Sequence, residues 1–162
     1  MKVISEAMNG GTIPDRYGKR GSEVNAFGVP SRSVPFRVED APEGTVSYAL
    51  FLEDRDAVPV CGFSWVHWIA ADITRDELGE NESAEARDFV QGINSWYGDY
   101  GEDGSMGYGG MAPPDRPHRY ELHVFALDKK LNMKNGFFLN ELFQAMEGHI
   151  LDRATVTGVY AS

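Results

Sequence analysis

The sequence predicts a mainly β protein, an antiparallel core with a few helices packed around it. Three observations carry this. Runs of β-favouring residues recur along the chain, helical spacing appears only late, and strands do not alternate with helices as βαβ units require. The 162 residues suit one domain with a buried core, and 42% apolar with 25% charged residues is an ordinary globular composition.

The first forty residues are rich in Gly, Pro and Ser, with short extended pieces such as 34–38, and read as strands and loops on a sheet edge. Residues 45–52 predict a strand with Val46, Tyr48, Leu50 and Leu52 on one face, running into an acidic turn from Glu53 to Pro59. Residues 64–73 predict a central strand, with Trp65, His67 and Ile69 on one face and Val66, Trp68 and Ala70 on the other. Thr74-Arg75-Asp76-Glu77 matches a capping box and predicts the start of a short helix. Between Gly92 and Gly110 lie seven of the 18 glycines, which predicts a long irregular loop. Residues 119–127 predict a third strand. Leu139, Leu142, Phe143, Met146 and Ile150 follow helical spacing with Gly148 at the C-terminal cap, and residues 155–160 predict a closing strand.

Charge and cysteine content exclude several classes. A net charge of −10 opposes non-specific binding to nucleic acid or anionic membrane, so a bound anion must be caught by a local site. No apolar run reaches the roughly 18 residues of a membrane span, and the first residues lack a secretory apolar core. The single cysteine, Cys61, allows no intramolecular disulfide, and a reducing cytoplasm is the expected location.

The stretch from Gly107 to Tyr120 is the candidate site. Its glycines bare the backbone, Pro113, Pro114 and Pro117 hold it open, and His118 and Tyr120, two apart in an extended chain, point together. Asp54 and Asp56 follow one predicted strand, and His67 lies within the next. Each has a plain alternative. Asp-x-Asp often braces its own turn, a histidine between tryptophans is often core, and Tyr120 fits a core position with its hydroxyl at the rim. His123 and His149 carry no motif and read as structural. Trp96 could line a pocket mouth.

In order, the chain shows the Asp54-x-Asp56 turn, Trp65-x-His67-Trp68, Gly107-Tyr108-Gly109-Gly110-x-x-Pro113-Pro114, His118-Arg119-Tyr120 and Phe125-Ala126-Leu127-Asp128. Gly148-His149-Ile150-Leu151 and Gly158-Val159-Tyr160 follow. This set resembles the phosphatidylethanolamine-binding protein family, also called Raf-kinase-inhibitor-like proteins, in its bacterial and archaeal YbhB/YbcL-type branch, from about Val46 to Tyr160. The resemblance implies a β-sandwich with a Greek-key element, a few peripheral helices and a pocket for phosphate-like anions. By position it implies ligand-binding roles for Asp54, Asp56, His67, Gly110, Ala112, His118 and Tyr120. The chain departs from the family pattern at Arg55 and Val58, which replace two prolines of the acidic turn, and at Met111-Ala112.

The resulting expectation is a cytoplasmic protein that binds a small anion or a phospholipid head group, without cofactor or metal. Regulation of a partner protein, as in some relatives, and a homodimer using Trp96, Tyr97, Tyr100 and Tyr108 are further expectations. The rival is a hydrolase or lyase acting on a small phosphorylated or acyl substrate. Against it, no serine sits in a nucleophile elbow and Cys61 lies apart from the candidate groups in sequence. No HxH or HExxH spacing supports a metal site.

Overall fold

In the computed structural model, which describes residues 1–162, strands dominate and are all antiparallel within two sheets. In chain order they are β1 (Lys2–Ile4), β2 (Phe36–Glu39), β3 (Ser47–Asp54), β4 (Trp65–Ile73), β5 (Glu77–Leu78), β6 (Val90–Gln91), β7 (His118–Leu127) and β8 (Ile150–Tyr160). The smaller sheet has the order β1-β2-β5 and the larger β6-β4-β3-β7-β8. Three short helices accompany them: α1 (Val58–Cys61), α2 (Tyr97–Ser105) and α3 (Leu139–Met146).

Strand β3 is buried along its whole length because both faces of the larger sheet are covered. On one face Tyr48, Leu50 and Leu52 join Leu122 and Val124 and meet Phe36, Val38 and Leu78 of the smaller sheet. On the other, Ala49, Phe51, Phe125 and Leu127 pack under Leu142 and Met146 of α3. Each fully buried Leu or Phe stabilises the fold by about 1.5–3 kcal/mol. Val46, predicted on the buried face, precedes the strand and is exposed.

Four local readings are corrected. Thr74 to Glu77 starts no helix: Glu77 pairs with Arg37 of β2, while the Asp76 carbonyl and side chain accept from Val38 N–H and the Tyr48 hydroxyl. Sheet pairing overrides the capping pattern there. The glycine-rich segment holds α2, broken at Gly101, whose φ is +64°. Helix α3 stops at Met146, and Ile150 opens β8, so the helical spacing overran by one residue of its pattern.

The fourth concerns β4. Leu52 pairs with Trp68 but Glu53 pairs with Val66, so His67 is an extra residue in a β-bulge. Alternation changes phase there. Val66 packs with the α3 face, and His67 approaches Tyr120, a residue of the other face.

The first residues brace the end of the larger sheet. The Tyr160 hydroxyl accepts from Arg20 N–H and donates to the Asp15 carbonyl, both at 2.9 Å. Lys19 N–H donates to the Met111 carbonyl at 2.7 Å, and its ammonium reaches the Pro113 carbonyl at 2.5 Å.

Candidate functional site

Where β3, β4 and β7 end together, twelve residues enclose a cavity of about 230 Å³, including Asp54, His67, Ala112, His118 and Tyr120. That is smaller than the roughly 300–1,000 Å³ of drug-sized ligand pockets. The rest of its wall is mainly apolar and includes the indoles of Trp65 and Trp96. The two indoles meet edge to face at 5.2 Å, and Trp96 also stands edge to face against His67 at 5.3 Å.

His67 is fixed by the glycine loop. Its Nδ1 lies 2.7 Å from the Gly109 carbonyl, and Gly109 N–H donates to the His67 carbonyl at 2.8 Å. A Cβ on Gly109 would sit 2.5 Å from the Trp96 ring, so glycine is what allows this approach. Burial lowers the His67 pKa to about 4, although the Gly109 carbonyl opposes the shift. The ring is neutral at pH 7, with its proton on Nδ1.

Asp54 ends β3 and caps the single 3₁₀ turn 55–57, one carboxylate oxygen accepting from Ala57 N–H at 3.2 Å. Its other oxygen lies 2.7 Å from His118 Nδ1, and His118 Nε2 lies 2.8 Å from Asp115. Burial works against the His118 charge, but the two carboxylates outweigh it and raise the pKa. His118 is thus held toward imidazolium with both N–H groups already committed. Tyr120 is fully buried, and its hydroxyl forms no hydrogen bond of normal length, although the Asp54 carboxylate and the Ala112 N–H lie near enough to act on it. Burial, reinforced by the charge of Asp54, keeps the phenol protonated. Trp65 Nε1 is likewise buried without a partner.

Two predicted site residues do not line the cavity, although the Gly110 carbonyl still acts on the His67 ring. Asp56 ties the turn to β7, accepting from Arg119 N–H at 2.9 Å and Arg116 at 3.1 Å. Gly110 is absent from the cavity wall: its N–H donates to the Pro30 carbonyl, and a Cβ there would lie 2.4 Å from the Tyr17 carbonyl. Its glycine serves packing against the N-terminal segment. Arg55 pairs with Glu53 and Glu121, not with Asp54 or Asp56. Cys61, set apart by sequence position, lines the cavity because α1 folds back over the Asp54 turn. Sequence reasoning also missed Asp115 and Trp65. The i,i+3 spacing of Asp115 and His118 was the available signal for the first.

On the opposite side of the sheet, Glu53, Glu121 and His123 offer potential metal-ligand atoms within 4.8 Å of one another. Arg55 bridges the two glutamates, and Ser64 and His123 hydrogen-bond Glu53, so this cluster is already internally compensated.

Two antiparallel sheets with a small aromatic-walled cavity at one end define a β-sandwich with an end pocket. The family model for phosphatidylethanolamine-binding protein matches residues 3–161, and the chain belongs to that family. YxkA of Bacillus subtilis is 42% identical over 152 residues, covering 89% of this chain and 90% of its own. A UPF0098 protein of Methanothermobacter thermautotrophicus is 32% identical, covering 99% and 98%. Among solved structures, the phosphatidylethanolamine-binding protein homolog CT736 of Chlamydia trachomatis superposes with a TM-score of 0.80 at 31% identity, covering 99% and 97%. YbcL of E. coli gives the same TM-score at 24% identity, covering 99% and 98%, and supports the fold.

Proposed function

We propose that this protein binds a small phosphate-like anion, free or as a phosphorylated head group, in the cavity between His67, His118 and Tyr120. One observation carries the reading: the Tyr120 hydroxyl is buried at the cavity without a partner, and buried polar groups of folded proteins are almost always paired. A ligand oxygen would supply the missing partner. Trp65 Nε1 adds a second idle donor, and Ala112 N–H, which donates to no main-chain carbonyl, a third. The volume suits a head group, not a whole lipid.

The experiment is calorimetry with methyl phosphate and phosphoethanolamine on the parent protein and on Tyr120→Phe. Binding that weakens about tenfold or more in the variant supports the site. Unchanged binding removes Tyr120 from it.

A hydrolase or lyase acting on a small phosphorylated or acyl substrate is the second reading. It is favoured by Cys61 lining the same cavity as a neutral histidine, a nucleophile and a base in one chamber. Turnover of phosphate or acyl esters by the parent protein but not by Cys61→Ser would establish it.

A further inference from the structure

We propose that the cavity selects a tetrahedral acid that keeps one proton, a hydrogen phosphate monoester monoanion, over the dianion and over anions that carry no proton. This rests on the phosphate-binding reading above and names the form of ligand the site takes.

The argument is an inventory of donors and acceptors. The Gly109 carbonyl can only accept, so the 2.7 Å contact places the ring proton of His67 on Nδ1. Nε2 of the neutral ring is then a lone pair, an acceptor with nothing to donate. Asp54 is also acceptor-only, and its existing bonds run to Ala57 N–H and His118. The imidazolium of His118 does not change this balance, because Asp54 and Asp115 occupy both of its donors. The donors on cavity-lining residues that no protein acceptor takes up are the Tyr120 hydroxyl, Trp65 Nε1 and the Ala112 amide.

A phosphate dianion carries only acceptor oxygens. Seated among the three donors, it would also turn an oxygen toward the His67 lone pair or the Asp54 carboxylate. No lysine or arginine lines the cavity to offset a second charge. Arg116 is bound to Asp56 outside it. A monoanion removes the conflict, since its P–O–H donates to Nε2 or to Asp54 while the other oxygens accept. Trp96 before α2 and Tyr120 of β7 stand against His67, Asp54 of β3, His118 of β7 and the Gly109 and Gly110 backbone act on it, and Cys61 of α1 shares the cavity wall. The one cationic form available among them is imidazolium at His118, and two carboxylates already match it.

The test titrates methyl phosphate, methylphosphonate, dimethyl phosphate and sulfate by calorimetry between pH 5 and 8. Methyl phosphate, whose second proton leaves near pH ~6, should bind most tightly at the acid end and lose about tenfold per pH unit above that point. Methylphosphonate, a weaker acid, should show the same loss at correspondingly higher pH, because the ligand's own proton is what is read. At pH 5.5 sulfate and dimethyl phosphate, which have no proton to give, should bind at least tenfold more weakly than methyl phosphate. Sulfate matching methyl phosphate at pH 5.5, affinity rising with pH, or one midpoint shared by both proton-bearing ligands would overturn the proposal while leaving anion binding standing. Absence of binding by all four ligands at every pH would instead remove the phosphate-binding reading, and this inference with it.

Discussion

Gly109 and His67 are bonded twice, main chain to main chain at 2.8 Å and carbonyl to ring nitrogen at 2.7 Å. A residue that interrupts the strand ladder is thereby held in both position and tautomer, and Trp96 closes against it.

Gly109→Ala places a methyl group into the Trp96 ring. Overpacking of this kind costs about 1–3 kcal/mol. The variant should unfold at lower denaturant concentration and bind methyl phosphate more weakly, and an unchanged midpoint would show that Trp96 can retreat freely.

The two cavity histidines give stability opposite pH dependences. His67 is depressed to about 4, so the unfolded chain binds more protons between its ordinary range near 6.5 and about 4, and stability rises with pH through that window. His118 is raised, so its contribution is complete below about pH 6.5 and is lost as pH climbs through its folded value. Denaturation midpoints from pH 4 to 9 should show both limbs. His67→Gln should flatten the acid limb and His118→Gln the alkaline one, and a swap of these outcomes would contradict the assigned charge states.

Arg55 lies with Glu53 and Glu121 and is largely exposed. Arg55→Pro should leave the relative affinities of short and long phosphomonoesters unchanged and lower stability, because Glu53, one of the partners it deserts, is buried. A change in ligand preference would place Arg55 at the pocket after all.

Cys61 is an exposed free thiol on the cavity wall. Iodoacetamide should label it and weaken methyl phosphate binding at least tenfold, methyl phosphate should slow the labelling, and Cys61→Ser should be insensitive. Labelled protein that binds normally would put the ligand away from α1.

A homodimer, if formed through α2, would use Tyr97 and Tyr100, which are exposed, and not Tyr108, which is buried. Light scattering at tens of micromolar should then give twice the 18.0 kDa chain mass, and Tyr100→Glu should halve it. A monomer mass for the parent chain would end the idea.

The main strands were legible because β3, β4 and β7 carry their apolar residues in plain runs, and the order of Asp54, His67, His118 and Tyr120 was enough to bring the family into view. The bulge was not legible, since an extra residue leaves no mark in a two-faced apolar strand. Its effect is to turn His67 from the face assigned by counting. Likewise, the bare backbone of Gly110 answers to the Tyr17 carbonyl, more than ninety positions away, which no local pattern reports. Asp115 carried no signal beyond its spacing from His118, yet it takes one of the two ring nitrogens of that histidine.

The bonds of Lys19 to Met111 and Pro113 tie the first residues to the loop of the cavity wall, and those of Tyr160 to Asp15 and Arg20 join the two extremities of the chain. Contacts of such sequence separation carry the largest loop-closure entropy and are slow to form. Recovery of ligand binding should therefore lag recovery of the β signal during refolding, and coincident recovery would refute this order of events. A ligand that favours the finished wall would act as a brake on unfolding from both ends of the chain at once.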